Sequence, residues 1–185
     1  MRLFAAVLPP APALTELGRA VDGLADRDGL RWTGRPGWHL TLAFYGDVPQ
    51  ETVPELTERL ARAARRTEPF ELALRGGGQF GGRALWAGVS GETAALKHLA
   101  DRAEAAGRKC GLPGEHRRYR PHLTLARART TTDLTPYVTA LDTFAGTPWT
   151  VARLALVRSN LPVSGVAGER PRYEQVAAPE FPGAR

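Results

Sequence analysis

The chain has 185 residues, 43% apolar and 24% charged, a single-domain length with an ordinary globular composition. Basic residues outnumber acidic ones 25 to 19, and all but Lys97 and Lys109 of them are arginine, whose planar, permanently charged fork suits phosphate. No apolar run approaches the roughly 18 residues of a membrane span, and the single cysteine, Cys110, excludes internal disulfides and multi-cysteine zinc sites and points to a reducing, cytoplasmic setting.

In chain order, strands are expected at about 2–8, 38–45, 69–75, 84–89, 120–127, 151–158 and 172–178. The first of these, in the short apolar start, reads as a strand and not as a signal peptide. Three amphipathic helices are marked by one-face spacing: Leu14, Leu17, Val21 and Leu24, then Val53, Leu56, Leu60 and Ala63, then Leu96, Leu99, Ala103 and Ala106. A shorter helix over 133–143 buries Leu134, Val138 and Leu141. The tail after Pro179 reads as loose. Strands and helices mix without strict βαβ alternation, so the expectation is an α+β fold with antiparallel sheet. Gly76–Gly82 contains G-x-G-x-x-G, but it leads into a strand-like run and not a helix, so it is read as a flexible hairpin connection.

The informative feature is a repeat. His39-Leu40-Thr41-Leu42-Ala43 recurs as His122-Leu123-Thr124-Leu125-Ala126, 83 residues later. Chance identity of this kind has odds of roughly a few in a hundred. Each copy follows a proline-bearing segment and precedes an amphipathic helix, which implies a duplicated unit and pseudo-twofold symmetry. Alternation along a strand sends Leu40, Leu42, Leu123 and Leu125 to a core and His39, Thr41, His122 and Thr124 to the opposite, polar face. Side by side, two such strands place two His-Thr pairs around one groove.

Histidine titrates near neutrality, so one copy can accept a proton from water while the other gives one to a leaving oxygen. In-line displacement at phosphorus needs those two groups on opposite sides, and threonine hydroxyls can donate to non-bridging oxygens. A lone H-x-T is ordinarily a plain sheet residue, but two matching copies favour a site. Neither histidine has a carboxylate, cysteine or second histidine at ligand spacing, which argues against a metal.

The two motifs, the opening Arg2-Leu3-Phe4-Ala5, the run Trp38–Val48, the strand Leu85–Val89, Arg120–Arg127 and the late Leu156–Leu161 together resemble the 2H phosphoesterase superfamily. Within it the chain is similar to the RNA 2′,3′-cyclic phosphodiesterase, or 2′-5′ RNA ligase (LigT-like), branch. The resemblance implies one domain over 1–185, with two related lobes, two antiparallel sheets around a central cleft and helices packed outside. It implies hydrolysis of RNA 2′,3′-cyclic phosphate ends to 2′-phosphomonoesters without metal or cofactor, together with reversible 2′-5′ joining to a 5′-hydroxyl. It makes His39 the proton donor to O3′ and His122 the proton acceptor that activates water. RNA ends, tRNA fragments among them, or cyclic nucleotides are the expected partners of a cytoplasmic monomer without membrane attachment. Alternatives are another cyclic phosphate, a 2′-5′ oligonucleotide, or non-catalytic binding of RNA ends.

Thr41 and Thr124 are the expected hydroxyl donors. Arg127 matches a family arginine associated with phosphate, although strict alternation puts it on the leucine face. Arg120 shares the His122 face by the same rule. The family pattern often has a basic residue where Ala43 stands, so one groove charge is missing here. Tyr119, in the basic loop 115–120 with His116, can stack a base while the loop tracks an RNA backbone. Tyr45 falls on the His39 face, and Trp32, Trp38, Trp86 and Trp149 read as packing residues. His98 reads as surface, and Arg59, Arg62, Arg65 and Arg66 as a solvated helix face.

Overall fold

The structure, a computed structural model, describes residues 1–24, 29–115, 117–160 and 172–183, so His116 and Leu161 lie outside the described residues. The first half runs β1 (Arg2–Val7), α1 (Ala11–Asp22), β2 (Leu30–Trp32), β3 (Leu40–Asp47) and α2 (Val53–Arg65). The hairpin β4 (Phe70–Phe80) and β5 (Ala84–Gly91) follows, then the long α3 (Thr93–Lys109). The second half continues with β6 (Leu123–Ala128), α4 (Thr135–Leu141), β7 (Trp149–Val151), β8 (Ala155–Asn160) and β9 (Arg172–Ala177). All strand pairs are antiparallel and form two sheets, ordered β3-β1-β8-β9 and β2-β6-β5-β4-β7. This is the α+β arrangement of two sheets expected from the sequence.

Periodicity explains the burial. Leu3, Ala5 and Val7 of β1 enter the main core, while Phe4 and Ala6, on the other face, pack with Ala155 and Val157 of β8. Leu17 and Val21, Leu56 and Leu60, and Leu96, Leu99 and Ala103 bring the three long helices into the same main core. Truncating a fully buried leucine of this set to alanine costs about 2–5 kcal/mol. α4 is shorter than expected and buries Tyr137 beside Leu141, with Leu134 just ahead of its first turn.

Several expectations are corrected. The run at 151–158 is two strands in different sheets, because the chain crosses between the sheets at Ala152–Leu154. That crossing is pinned by the tail, whose described residues 180–183 are not loose: Phe181 donates its N–H to the Ala152 carbonyl at 2.8 Å and stacks on Phe70 at 6.3 Å. Burial of the Phe181 ring offsets part of the cost of ordering the segment around it. The glycine run is also no flexible connection. Gly76, Gly77 and Gly78 lie inside β4, where Gly78 lets the Trp86 ring pack directly on the backbone, and only Gly81 and Gly82 form the turn. Both turn glycines have positive φ, as the central positions of a primed turn require, and Arg83 closes the turn by donating its N–H to the Phe80 carbonyl at 2.9 Å.

Candidate active site

The repeated pentapeptides begin β3 and β6, which are not paired with each other: they lie in separate sheets, and their polar faces meet across the cleft between them. His39, Thr41, His122 and Thr124 line a single cavity of about 310 Å³, with Arg2, Phe4, Phe44, Arg127, Ser159 and Tyr173 among its other walls.

Both copies carry the same irregularity. Ala5 pairs with Ala43 but Ala6 pairs with Thr41, so Leu42 is an extra residue in β3. Leu85 pairs with Ala126 but Trp86 pairs with Thr124, so Leu125 is the extra residue in β6. A bulge inserts one unpaired residue and shifts the alternation that follows. Leu42 and Ala43 are therefore both buried, as are Leu125 and Ala126. Arg127 is carried to the His122 face, not the leucine face, and lines the cavity. The same shift turns Phe44 into the cleft and takes Tyr45 out of it. Tyr45 is buried against α3 and donates its hydroxyl to the Ala103 carbonyl at 2.8 Å, with its ring against Gly107.

The imidazoles are held alike at one nitrogen. His39 Nδ1 lies 2.7 Å from the Gly37 carbonyl, and His122 Nδ1 lies 2.7 Å from the Arg120 carbonyl. A carbonyl only accepts, so Nδ1 carries the hydrogen in both rings and Nε2 is the exchanging nitrogen. Around His39 the walls are aromatic: Phe4 at 4.6 Å between centroids and Tyr173 edge-on at 5.5 Å. Gly37 makes room for Tyr173, since a β-carbon there would meet its ring at 2.9 Å. His39 Nε2 accepts from the Thr41 hydroxyl at 3.0 Å. Burial lowers the His39 pKa below 6.5; the Gly37 bond opposes that shift and the charge of His122 adds to it. His122 is backed by Phe80 at 4.9 Å and Trp86 at 6.0 Å, so this tryptophan is a packing wall.

Each motif is clasped by the lead-in of the other. β2 pairs with β6, and the Thr33 N–H donates to the Leu125 carbonyl at 2.8 Å before a 3-10 turn over Arg35–Gly37 delivers His39. Reciprocally, Tyr119 donates its hydroxyl to the Thr41 carbonyl at 3.0 Å, with its ring half-buried. Burial pushes its phenol pKa up, which keeps it a donor. Tyr119 thus ties the two motifs through its hydroxyl, while its ring lines the cavity adjoining the cleft. Arg120 is exposed and precedes β6, so strand alternation does not govern it; it lines an adjoining cavity of about 580 Å³ with Arg117 and Arg118 that shares Thr41 and His122 with the cleft. Arg59, Arg62 and Arg65 pair with Glu55 and Glu58 along an outer face of α2, and His98 is exposed.

Sequence reasoning passed over Arg2, Phe4, Phe44, Ser159 and Tyr173 as cleft residues. Four of these reach the cleft from strands near the chain ends, which only the sheet order brings beside β3, and Phe44 was hidden by the bulge. Among the described residues no three His, Cys, Asp or Glu side chains converge as a metal site, and no helix is long and apolar enough to cross a membrane.

Residues 9–161 match the 2′-5′ RNA ligase superfamily. The chain is 34% identical over 158 residues to an RNA 2′,3′-cyclic phosphodiesterase of Geobacillus stearothermophilus, covering 83% of this chain and 48% of that protein. It is 32% identical over 174 residues to one of Thermus thermophilus, covering 89% and 85%. The chain thus spans about half the length of the Geobacillus relative and most of the Thermus one. Among solved structures, TT0787 of Thermus thermophilus superposes with a TM-score of 0.79 at 29% identity over all of both chains. Escherichia coli LigT in its apo form superposes with a TM-score of 0.78 at 24% identity over 97% and 96%. With its two sheets, its paired motifs and a match over most of its length, the chain belongs to the 2′-5′ RNA ligase superfamily.

Proposed function

We propose that the protein hydrolyses RNA 2′,3′-cyclic phosphate ends to 2′-phosphomonoesters. The observation that carries this reading is the convergence of two His-Thr pairs on one cavity, each imidazole tethered at Nδ1 with Nε2 left for proton exchange. The names of the relatives, RNA 2′,3′-cyclic phosphodiesterases, agree with it.

In this reading water attacks phosphorus in line with O3′. His122 Nε2 takes the water proton, the P–O3′ bond breaks, and His39 Nε2 gives its proton to O3′. The order of roles follows the family pattern. Thr41 and Thr124 donate to the non-bridging oxygens, whose charge rises in the transition state, and Arg127 neutralises it. Thr41 exchanges its bond to His39 Nε2 for one to phosphate as substrate enters. A donor must be protonated when it acts, and burial holds free His39 toward neutrality. The incoming phosphate anion supplies the opposite charge and raises its pKa within the complex. With a 5′-hydroxyl replacing water, the same two proton transfers join the end as a 2′-5′ phosphodiester.

Arg117, Arg118 and Arg120, which line the adjoining cavity together with Asp101, Glu104 and Glu115, offer cations to an RNA chain, with tRNA fragments among the candidate substrates. The reading takes the protein to act as a monomer, and its lone cysteine suits a reducing cytoplasm. Phosphorus NMR of a 2′,3′-cyclic nucleotide incubated with the protein and EDTA tests the reaction. Conversion to the 2′-monophosphate is expected. No turnover, or turnover abolished by EDTA, rejects the mechanism.

A further inference from the structure

The two halves of the cleft differ at one corresponding position. Arg127 stands five residues after His122, on the bulge-shifted face. Five residues after His39, on the same bulge-shifted face, stands Phe44. The cation missing from that side returns from the neighbouring strand: Arg2 of β1 lays its guanidinium 5.0 Å from the centroid of the Phe44 ring. Arg2 and Phe4 lie two residues apart on one face of β1, and both line the cavity with the two histidines. Among the described residues neither Arg2 nor Arg127 commits its side chain to an ion pair or hydrogen bond.

We infer that Arg2, held over the Phe44 ring, is the second guanidinium of the site and binds the reacting phosphate from the His39 side, opposite Arg127. This rests on the phosphodiesterase reading above. The cyclic phosphate enters with one negative charge, and attack at phosphorus places a second on its equatorial oxygens. A cation on each side meets that rise, Arg127 from β6 and Arg2 from over the Phe44 ring. With no ion pair or hydrogen bond of its own among the described residues, the Arg2 guanidinium keeps its N–H groups free to donate. The alternative target is a phosphodiester further along the RNA, and the two differ in what a single nucleotide shows.

The test compares wild type, Arg2→Ala, Arg2→Lys and Arg127→Ala on a 2′,3′-cyclic mononucleotide and on a dinucleotide ending in the same cyclic phosphate. Arg2→Ala should lower kcat by about 10–100-fold on both substrates by the same factor, with a smaller change in KM. Arg2→Lys, which keeps charge but loses the planar fork, should recover part of the loss. Unchanged kcat in Arg2→Ala beside an impaired Arg127→Ala overturns the inference and leaves the phosphodiesterase reading intact. A loss confined to the dinucleotide overturns it too, since Arg2 then serves another phosphate. Should wild type hydrolyse neither substrate, the activity falls, and binding of inorganic phosphate decides the site. Ring-proton shifts of His39 and His122 that need several-fold more phosphate in Arg2→Ala uphold the anion contact, and an equal dependence rejects it. Equal thermal midpoints of wild type and Arg2→Ala guard against a folding defect.

Discussion

The same five residues on the same bulge hold two histidines in unlike surroundings. His39 enters the edge strand of the four-stranded sheet, where Phe4 and Tyr173 wall it and its Nε2 is bonded to Thr41. His122 enters an inner strand of the five-stranded sheet, between β2 and β5, with aromatic rings behind it and no protein partner at Nε2 among the described residues. Duplication therefore supplies a shared backbone geometry, with Nδ1 tethered to the carbonyl two residues earlier in both copies. The neighbours brought by non-repeated strands then surround the two rings differently, and burial lowers the pKa of His39. One motif used twice meets two different surroundings because the fold around it is only partly symmetric.

The sharpest way to break this comparison is to remove each imidazole in turn. His39→Ala and His122→Ala should each lower kcat by about 10²–10⁴-fold while the fold persists. On a phosphodiester whose leaving group is a nitrophenolate, which departs without a proton, the His39→Ala deficit should shrink and the His122→Ala deficit should not. Equal deficits on both substrates would reverse or dissolve the division of roles.

The threonines sharpen the comparison next. Thr124→Val and Thr41→Val should each cost kcat about 10–100-fold, as for a lost donor to a developing oxyanion. Only Thr41 also donates to a histidine, and that bond stabilises the neutral ring. Thr41→Val should therefore raise the His39 pKa in the free protein, read from the ring-proton shifts, while Thr124→Val leaves the His122 ring unmoved. If both substitutions moved their histidines alike, the two halves would be equivalent after all.

Much of this site was visible in the residues. Period-3.6 spacing marked the faces of the three long helices, and period-2 alternation put His and Thr opposite Leu in both motifs, because those patterns express burial directly. Arg127 and Tyr45 were misread by the same rule, since alternation carries no record of an inserted residue. The signal was present: Leu42-Ala43 and Leu125-Ala126 are consecutive apolar pairs at the same place in both copies, and a strand with one polar face has no use for such a pair without a bulge. Strand β2 has three residues, too few to show a period. Arg2, Ser159 and Tyr173 are cleft residues through sheet order alone, which local pattern does not encode.

The cross-tie between the halves predicts a smaller effect. Tyr119→Phe removes one hydroxyl and leaves the Thr41 carbonyl without that donor, so stability should drop by about 1 kcal/mol. If the tie also sets the spacing of the two histidines, kcat falls several-fold at unchanged KM, with the pH profile retained in shape. Loss of stability with full kcat would show that β2 and Thr33 alone hold the motifs in register.

The smallest effect separates the halves without any substrate. Burial, foremost, and then the charge of His122 favour neutral His39, so its folded pKa lies below 6.5 despite the Gly37 bond. Between that folded value and about 6.5 the unfolded chain binds more protons at this position than the folded one. Stability linked to His39 is therefore complete above the unfolded pKa, declines as pH falls through the window, and changes no further below the folded pKa. Urea midpoints across this range should slope downward with acid in wild type, and His39→Gln should flatten that part of the slope. His122→Gln should flatten it less, because it relieves only the weaker of the two causes. Adding inorganic phosphate should reduce the slope in wild type, since an anion beside the ring favours its charged form. A slope that survives His39→Gln undiminished would mean that the aromatic walls of the first half do not govern its proton, and that the contrast between the two histidines arises elsewhere.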